Sequence, residues 1–163
     1  MKKYTEEEIE ALAEQAAQNA MGHFRNGLNC GECVLQGFLD LGLSDYPKEI
    51  VGLVSGMGAG MGETGHTCGA VNAGMVVISS MHGRKNPYEK ESFEERVDQL
   101  HHPETGIYPR HGAYVRAFMK EKGTIECRDL SIQWDFDSKD RKRNCKQIIG
   151  LATKLATKAA LKE

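Results

Sequence analysis

Half of the ten residues at positions 56–65, Gly-Met-Gly-Ala-Gly-Met-Gly-Glu-Thr-Gly, are glycine. So many glycines break regular structure and permit close backbone approach. Whatever this chain folds into must bend there. On either side, apolar residues recur at helical spacing.

The first such pattern covers residues 5–25, with Ile9, Leu12, Ala13, Ala16, Ala20 and Phe24 on one face. Thr5 is placed to cap it, with Glu8 three residues later and acidic residues crowding the first turn. Gly27 closes this helix and Asn29 caps a second over 30–41, which presents Cys33, Val34, Phe38 and Leu41 to a core. Pro47 opens a third helix with Ile50, Val51 and Val54 as its apolar face. A fourth, over 68–81, is apolar along its length and therefore central. Residues 92–100 read as a short helix, 101–106 as a loop, and 112–122 as a helix ended by Gly123. Residues 131–137 read as an irregular connection. The last helix, 139–161, turns Cys145, Ile148, Ile149, Leu151, Leu155 and Ala159 inward. Strand-like alternation is scarce, so the chain is predicted to be all-α, a single-domain helical bundle over 1–163 with a Gly-rich loop.

Composition narrows the function. Hydrophobic residues at 40% and charged residues at 27% are the mix of a folded protein. A net charge of -2 gives no reason to expect nucleic acid or an anionic membrane as partner. The best apolar run, 73–78, falls far short of the roughly 20 residues that span a bilayer. Lys2 and Lys3 are followed by Glu6, Glu7, Glu8 and Glu10 rather than by the apolar stretch of an export signal. A cytoplasmic location is therefore expected, where thiols stay reduced and five cysteines point to metal binding or redox chemistry more than to a disulfide framework.

Cys30, Cys68, Cys127 and Cys145 lie far apart. Cys30 and Cys68 each fall in the first turn of a predicted helix, where the dipole and free N–H groups favour a thiolate. Arg128 follows Cys127, and Arg143 and Lys146 are near Cys145 in sequence. Each setting is expected to favour the charged sulfur, the form that binds metal or attacks a disulfide. The plain alternative is four inert core cysteines.

The neighbouring residues sharpen this. Asn29-Cys30 follows Phe24-Arg25-Asn26-Gly27; the Gly-rich run leads into Thr67-Cys68-Gly69-Ala70-Val71, with Gly74 beyond. Then come Gly123-Thr124-Ile125-Glu126-Cys127-Arg128-Asp129-Leu130 and Asn144-Cys145. This order resembles the redox-active family named for its cysteine and glycine pattern, C_GCAxxG_C_C, which also contributes the cluster-bearing part of split-Soret cytochromes. The resemblance covers about residues 24–151. It implies a helical domain whose four cysteines, Cys30, Cys68, Cys127 and Cys145, converge on one redox site holding an iron–sulfur cluster. The chain departs from the family pattern at Thr67 and Gly69, which flank Cys68 where the pattern has Gly and Ala. Cys33 is an additional cysteine, and residues 98–112 look like an insertion.

Four thiolates suit either an iron–sulfur cluster or tetrahedral zinc. Structural zinc sites arise from close cysteine pairs, and Cys30 with Cys33 is the only such pair here, so the cluster is favoured. Three functions stay in view. The first is electron transfer through a cluster, with an unidentified redox partner protein. The second is thiol–disulfide exchange by paired cysteines with no cofactor, and the third is a zinc or other metal protein without turnover. Cys30-Gly31-Glu32-Cys33 has the spacing of a dithiol, but the βαβ pattern that accompanies thioredoxin-like motifs is missing, and Cys33 is expected to pack beside Val34. Val34 also stands where a c-type haem motif needs histidine. A homodimer is the default assembly.

Weaker signals have ordinary readings. Gly60-Met61-Gly62-Glu63-Thr64-Gly65 matches Gly-x-Gly-x-x-Gly without the preceding strand of a nucleotide site, and reads as a tight loop shielding the cysteines. His66, two residues before Cys68, reads as a loop histidine, with a ligand or proton donor as the alternative. His101, His102 and His111 read as solvated, with a metal patch as the alternative. Met57, Met61 and Met75 read as core filler, and Trp134 and Phe136 as cover for the site or for the connection. The basic run 139–146 reads as a solvated face, or as an attraction for an anionic partner.

Overall fold

The computed structural model describes residues 2–162. Eight α-helices and one 3-10 segment make up the fold, in the order α1 (Glu6–Arg25), α2 (Cys30–Leu39), the 3-10 segment (Lys48–Met57), α3 (Gly58–Met61), α4 (Gly69–His82), α5 (Phe93–His101), α6 (Ile107–Lys122), α7 (Cys127–Ser131) and α8 (Lys139–Leu161). Among the described residues there is no strand, only an isolated antiparallel bridge between Thr67 and Glu126. The chain is all-α, as expected.

The helix starts follow the capping residues. In α1 the Glu8 N–H donates to Thr5 Oγ1 at 3.2 Å and the Thr5 N–H to Glu8 Oε2 at 2.8 Å, a reciprocal box. Asn29 does the same for α2, its Oδ1 accepting from the N–H groups of Gly31 and Glu32. Its Nδ2 also donates to the Ser55 carbonyl at 2.9 Å, which ties the start of α2 to the 3-10 segment.

α1 and α4 each pack on both α2 and α8, α6 lies against α4 and α8, and α5 rests on α6. Small residues set how closely these helices approach. Ala13, Ala16, Ala17 and Ala20 of α1 are buried, as are Ala152, Ala156 and Ala160 of α8. Gly37 of α2 is so close to α1 that a Cβ there would meet the Ala20 Cβ at 2.7 Å and the Ala16 carbonyl at 2.8 Å. Phe38, Leu35, Ile78, Phe118 and Ile149 fill the centre, with Tyr114 donating its hydroxyl to the Val71 carbonyl at 3.3 Å. α4, expected to be central, buries seven of its residues.

Three expectations change. The third helix is a 3-10 segment, not a regular α-helix, and of its apolar face only Val54 is fully buried. The helix expected from residue 112 starts at Ile107, with Pro109 tolerated in its first turn. The Gly-rich run is a left-handed turn: Ala59, Gly60, Met61, Gly62 and Glu63 all have positive φ, from 50° to 74°. Three of these carry a Cβ, and a left-handed conformation costs such residues about 1–2 kcal/mol each.

Candidate functional site

Four elements converge beneath that turn. Cys30 is the first residue of α2, Cys68 caps α4, Cys127 is the first residue of α7, and Cys145 lies in the second turn of α8. All four line one cavity of about 20 Å³, closed by Leu130, Ser131 and Ile148. The structure therefore brings together cysteines from distant parts of the chain.

Backbone pairing holds two of them in register. The Cys68 N–H donates to the Ile125 carbonyl at 2.8 Å, the Cys127 N–H to the His66 carbonyl at 2.8 Å, and the Arg128 N–H to the Gly65 carbonyl at 2.9 Å. Gly60 fits tightly against this pair: a Cβ there would meet the Cys127 Cβ at 2.7 Å and the His66 carbonyl oxygen at 2.6 Å. Only glycine fits at a position with φ of 74° and that approach. The Ser131 hydroxyl donates to the Cys127 carbonyl at 2.8 Å, and the Asn144 side chain to the Leu130 carbonyl at 2.9 Å, fastening α7 to itself and to α8.

The electrostatics correct one expectation. Helix starts and sequence-adjacent cations were expected to favour thiolates at all four positions. Instead burial pushes Cys68 up to about 12 and Cys145 up to about 11, and raises Cys127 as well. The N–H groups of Ala70 and Val71 do pull Cys68 the other way, but desolvation outweighs them. The cation that faces the thiols is Arg141, which lowers both Cys127 and Cys145. It sits one helical turn before Cys145, the i,i+4 spacing that puts two side chains on one face. Arg143 is engaged with Asp140 at 2.9 Å, and Arg128 donates to the Thr64 carbonyl.

Cys33 does not line the cavity. It is fully buried among core residues, its thiol donates to the Leu28 carbonyl at 3.5 Å, and burial pushes it up to about 12. The His66 ring is 68% exposed, 3.8 Å from Glu126, and outside the cavity lining. His101, His102 and His111, expected in a solvated loop, instead end α5, cap it and lie within α6, and each has a separate partner. His101 stacks edge-on to Tyr108, His102 accepts N–H groups of Glu104 and Thr105, and half-buried His111 hydrogen-bonds Ser79 and the Met75 carbonyl.

A second pocket, of about 210 Å³, lies directly outside the first and shares Cys30, Cys127 and Cys145 with it. Phe24, Asn29, Ala59, Phe136, Asp137, Arg141 and Lys142 complete its wall. The Arg141 guanidinium lies over the Phe136 ring at 4.2 Å. Arg141 and this outer pocket were not foreseen.

Residues 28–159 match the family described as "Putative redox-active protein (C_GCAxxG_C_C)". The chain belongs to the C_GCAxxG_C_C family. An uncharacterized protein of Archaeoglobus fulgidus is 23% identical over 154 residues, covering 93% of this chain and 96% of that relative. No solved structure matches significantly. The matched span takes in all four cavity cysteines, so the family's redox designation falls on the region that builds the thiol cavity.

Four thiols walled by Leu130 and Ile148 are the ligand chemistry and dry setting of a cluster site. The cavity has room for about one water-sized body. Among the described residues no group of three or more Cys, His, Asp or Glu side chains is placed to hold a metal ion.

Proposed function

We propose that this C_GCAxxG_C_C protein is a cytoplasmic electron-transfer protein that holds an iron–sulfur cluster with Cys30, Cys68, Cys127 and Cys145. The observation that carries the reading is the lining of one small cavity by these four thiols and no other ionisable group. Such a group, when bound, supplies one-electron exchange.

The chain's own residues do the rest. The four thiols surrender their protons on ligation, and the raised proton affinity of Cys68, Cys127 and Cys145 makes loading steeply pH-dependent. Leu130 and Ile148 keep water from the inner side. Arg141 places a positive charge beside Cys127 and Cys145, which favours the more negative state of the centre and raises its reduction potential. Thiol–disulfide exchange is the weaker reading, because thiols held well above neutrality present little thiolate for attack. A partner protein delivers or accepts the electron.

Anaerobic purification followed by visible absorption and iron and sulfide analysis tests this. Brown protein with stoichiometric iron and acid-labile sulfide is expected, and Ser substitution at any of the four cysteines, but not at Cys33, is expected to cut the iron content by more than half. Colourless protein with two reversibly oxidised thiols returns the exchange reading, and bound zinc returns the structural one.

A further inference from the structure

The outer pocket has a chemistry of its own. Its apolar wall comes from Phe24, Ala59 and Phe136, and its charge from Arg141, Lys142 and Asp137. Among the described residues neither Arg141 nor Lys142 forms an ion pair, whereas the neighbouring Arg143 is paired with Asp140. Two unpaired cations against one carboxylate leave the mouth net positive. The guanidinium is also held in place, lying over the Phe136 ring at 4.2 Å. A pre-oriented, unpaired guanidinium at the edge of an apolar pocket is the arrangement that takes a carboxylate.

Size limits the rest of the ligand. At about 210 Å³ the pocket exceeds the roughly 150 Å³ cavity that admits benzene and is smaller than the usual drug-sized site. One ring or one branched chain fits, with a single anionic group. Three of the four thiols open onto this pocket and Cys68 does not, so a molecule seated there approaches the sulfur centre from one defined side.

We propose that the outer pocket binds a small carboxylate with an aromatic or branched apolar body. Its carboxylate lies on Arg141 and Lys142, and its body against Phe24, Ala59 and Phe136, immediately outside the thiol centre. The pocket's relevance to redox chemistry rests on the reading of the four cysteines as a redox centre, while binding itself does not.

Isothermal titration of the full chain, purified anaerobically, with benzoate, benzamide and inorganic phosphate tests this directly. Saturable one-to-one binding of benzoate is expected, with benzamide, the uncharged counterpart, weaker by at least about tenfold. Phosphate, which lacks the apolar body, is expected to be weaker as well. Arg141→Gln and Phe136→Ala are each expected to weaken benzoate about tenfold, with Arg141→Lys retaining part of the loss. Absence of saturable benzoate binding overturns the proposal, as does benzamide or phosphate binding equally well, or benzoate binding unchanged in both Phe136→Ala and Arg141→Gln. The ligand comparison needs no variant, so a folding defect in one cannot shelter the idea. Iron and sulfide measured on the same sample report the redox reading separately, so either claim is able to fail alone.

Discussion

The two ends of α8 are built in opposite ways. Toward its C-terminal half the helix buries Ala152, Ala156 and Ala160 in the core, and Lys154 and Lys158 pair with Glu10 and Glu14 of α1. Toward its N-terminal half it carries Cys145 and Arg141, beside the thiol cavity and a left-handed turn with three non-glycine residues. One end gathers favourable packing; the other holds strain and desolvated polar groups that packing alone would not select. Such features persist at functional sites where the rest of the fold supports them. The contrast locates function without reference to any relative.

The largest effect should come from spoiling the packed end. Gly37→Leu drives a side chain into Ala20 and the Ala16 carbonyl and is expected to cost about 3 kcal/mol in urea unfolding. On the proposed cluster reading the folded fraction should keep the iron content of the unaltered protein; a parallel loss of iron would mean that the two ends are not separable. Thr157 offers a smaller change of opposite sign. It is fully buried and its hydroxyl has no partner, so Thr157→Val is expected to stabilise by about 1 kcal/mol in the same measurement.

At the strained end, Ala59→Gly removes one left-handed Cβ and is expected to stabilise by about 0.5 kcal/mol, the gain being offset by glycine's entropy. On the proposed cluster reading, iron release to a chelator should also become faster as the turn over Cys127 loosens. Destabilisation instead would show that the turn is not strained.

The smallest effect concerns the ion pairs. Hydrogen bonds from Lys154 and Lys158 hold the Glu10 carboxyl down from its ordinary value near 4.5 to about 2. A depressed carboxyl contributes stability that is present above its unfolded value and is lost as pH falls from about 4.5 toward 2. Glu10→Gln should flatten the thermal midpoint across that window, and salt should shrink the difference because the pair is exposed.

Much of the packed end was legible in the sequence. Thr5 with Glu8 and Asn29 announced their helices, and the period of Ile9, Ala13, Ala16 and Ala20 named the buried face of α1. Thr153 and Thr157 escaped because an apolar pattern passes over hydroxyls, although both are fully buried. At the other end the four cysteines were legible from their order, and the glycines from their density. The left-handed turn was not, since Ala59, Met61 and Glu63 carry no local mark of positive φ. α7, five residues long, is too short to show a period. Arg141 was hidden by attention to sequence neighbours: Arg143 is closer to Cys145 along the chain, but four-residue spacing decides which side chain faces it.

The bridge between the segments at 65–68 and 125–128 has a consequence in time. A ribosome adds about 5–20 residues per second, so the stretch from Cys68 to Cys145 takes on the order of ten seconds to make. Throughout that interval the earlier thiols have emerged while their partners have not, and the half-built pocket is open to copper, peroxide and stray disulfides. On the proposed reading, loading a cluster is thereby an event of the nearly complete chain, whose four thiols come together only once Cys145 has been made.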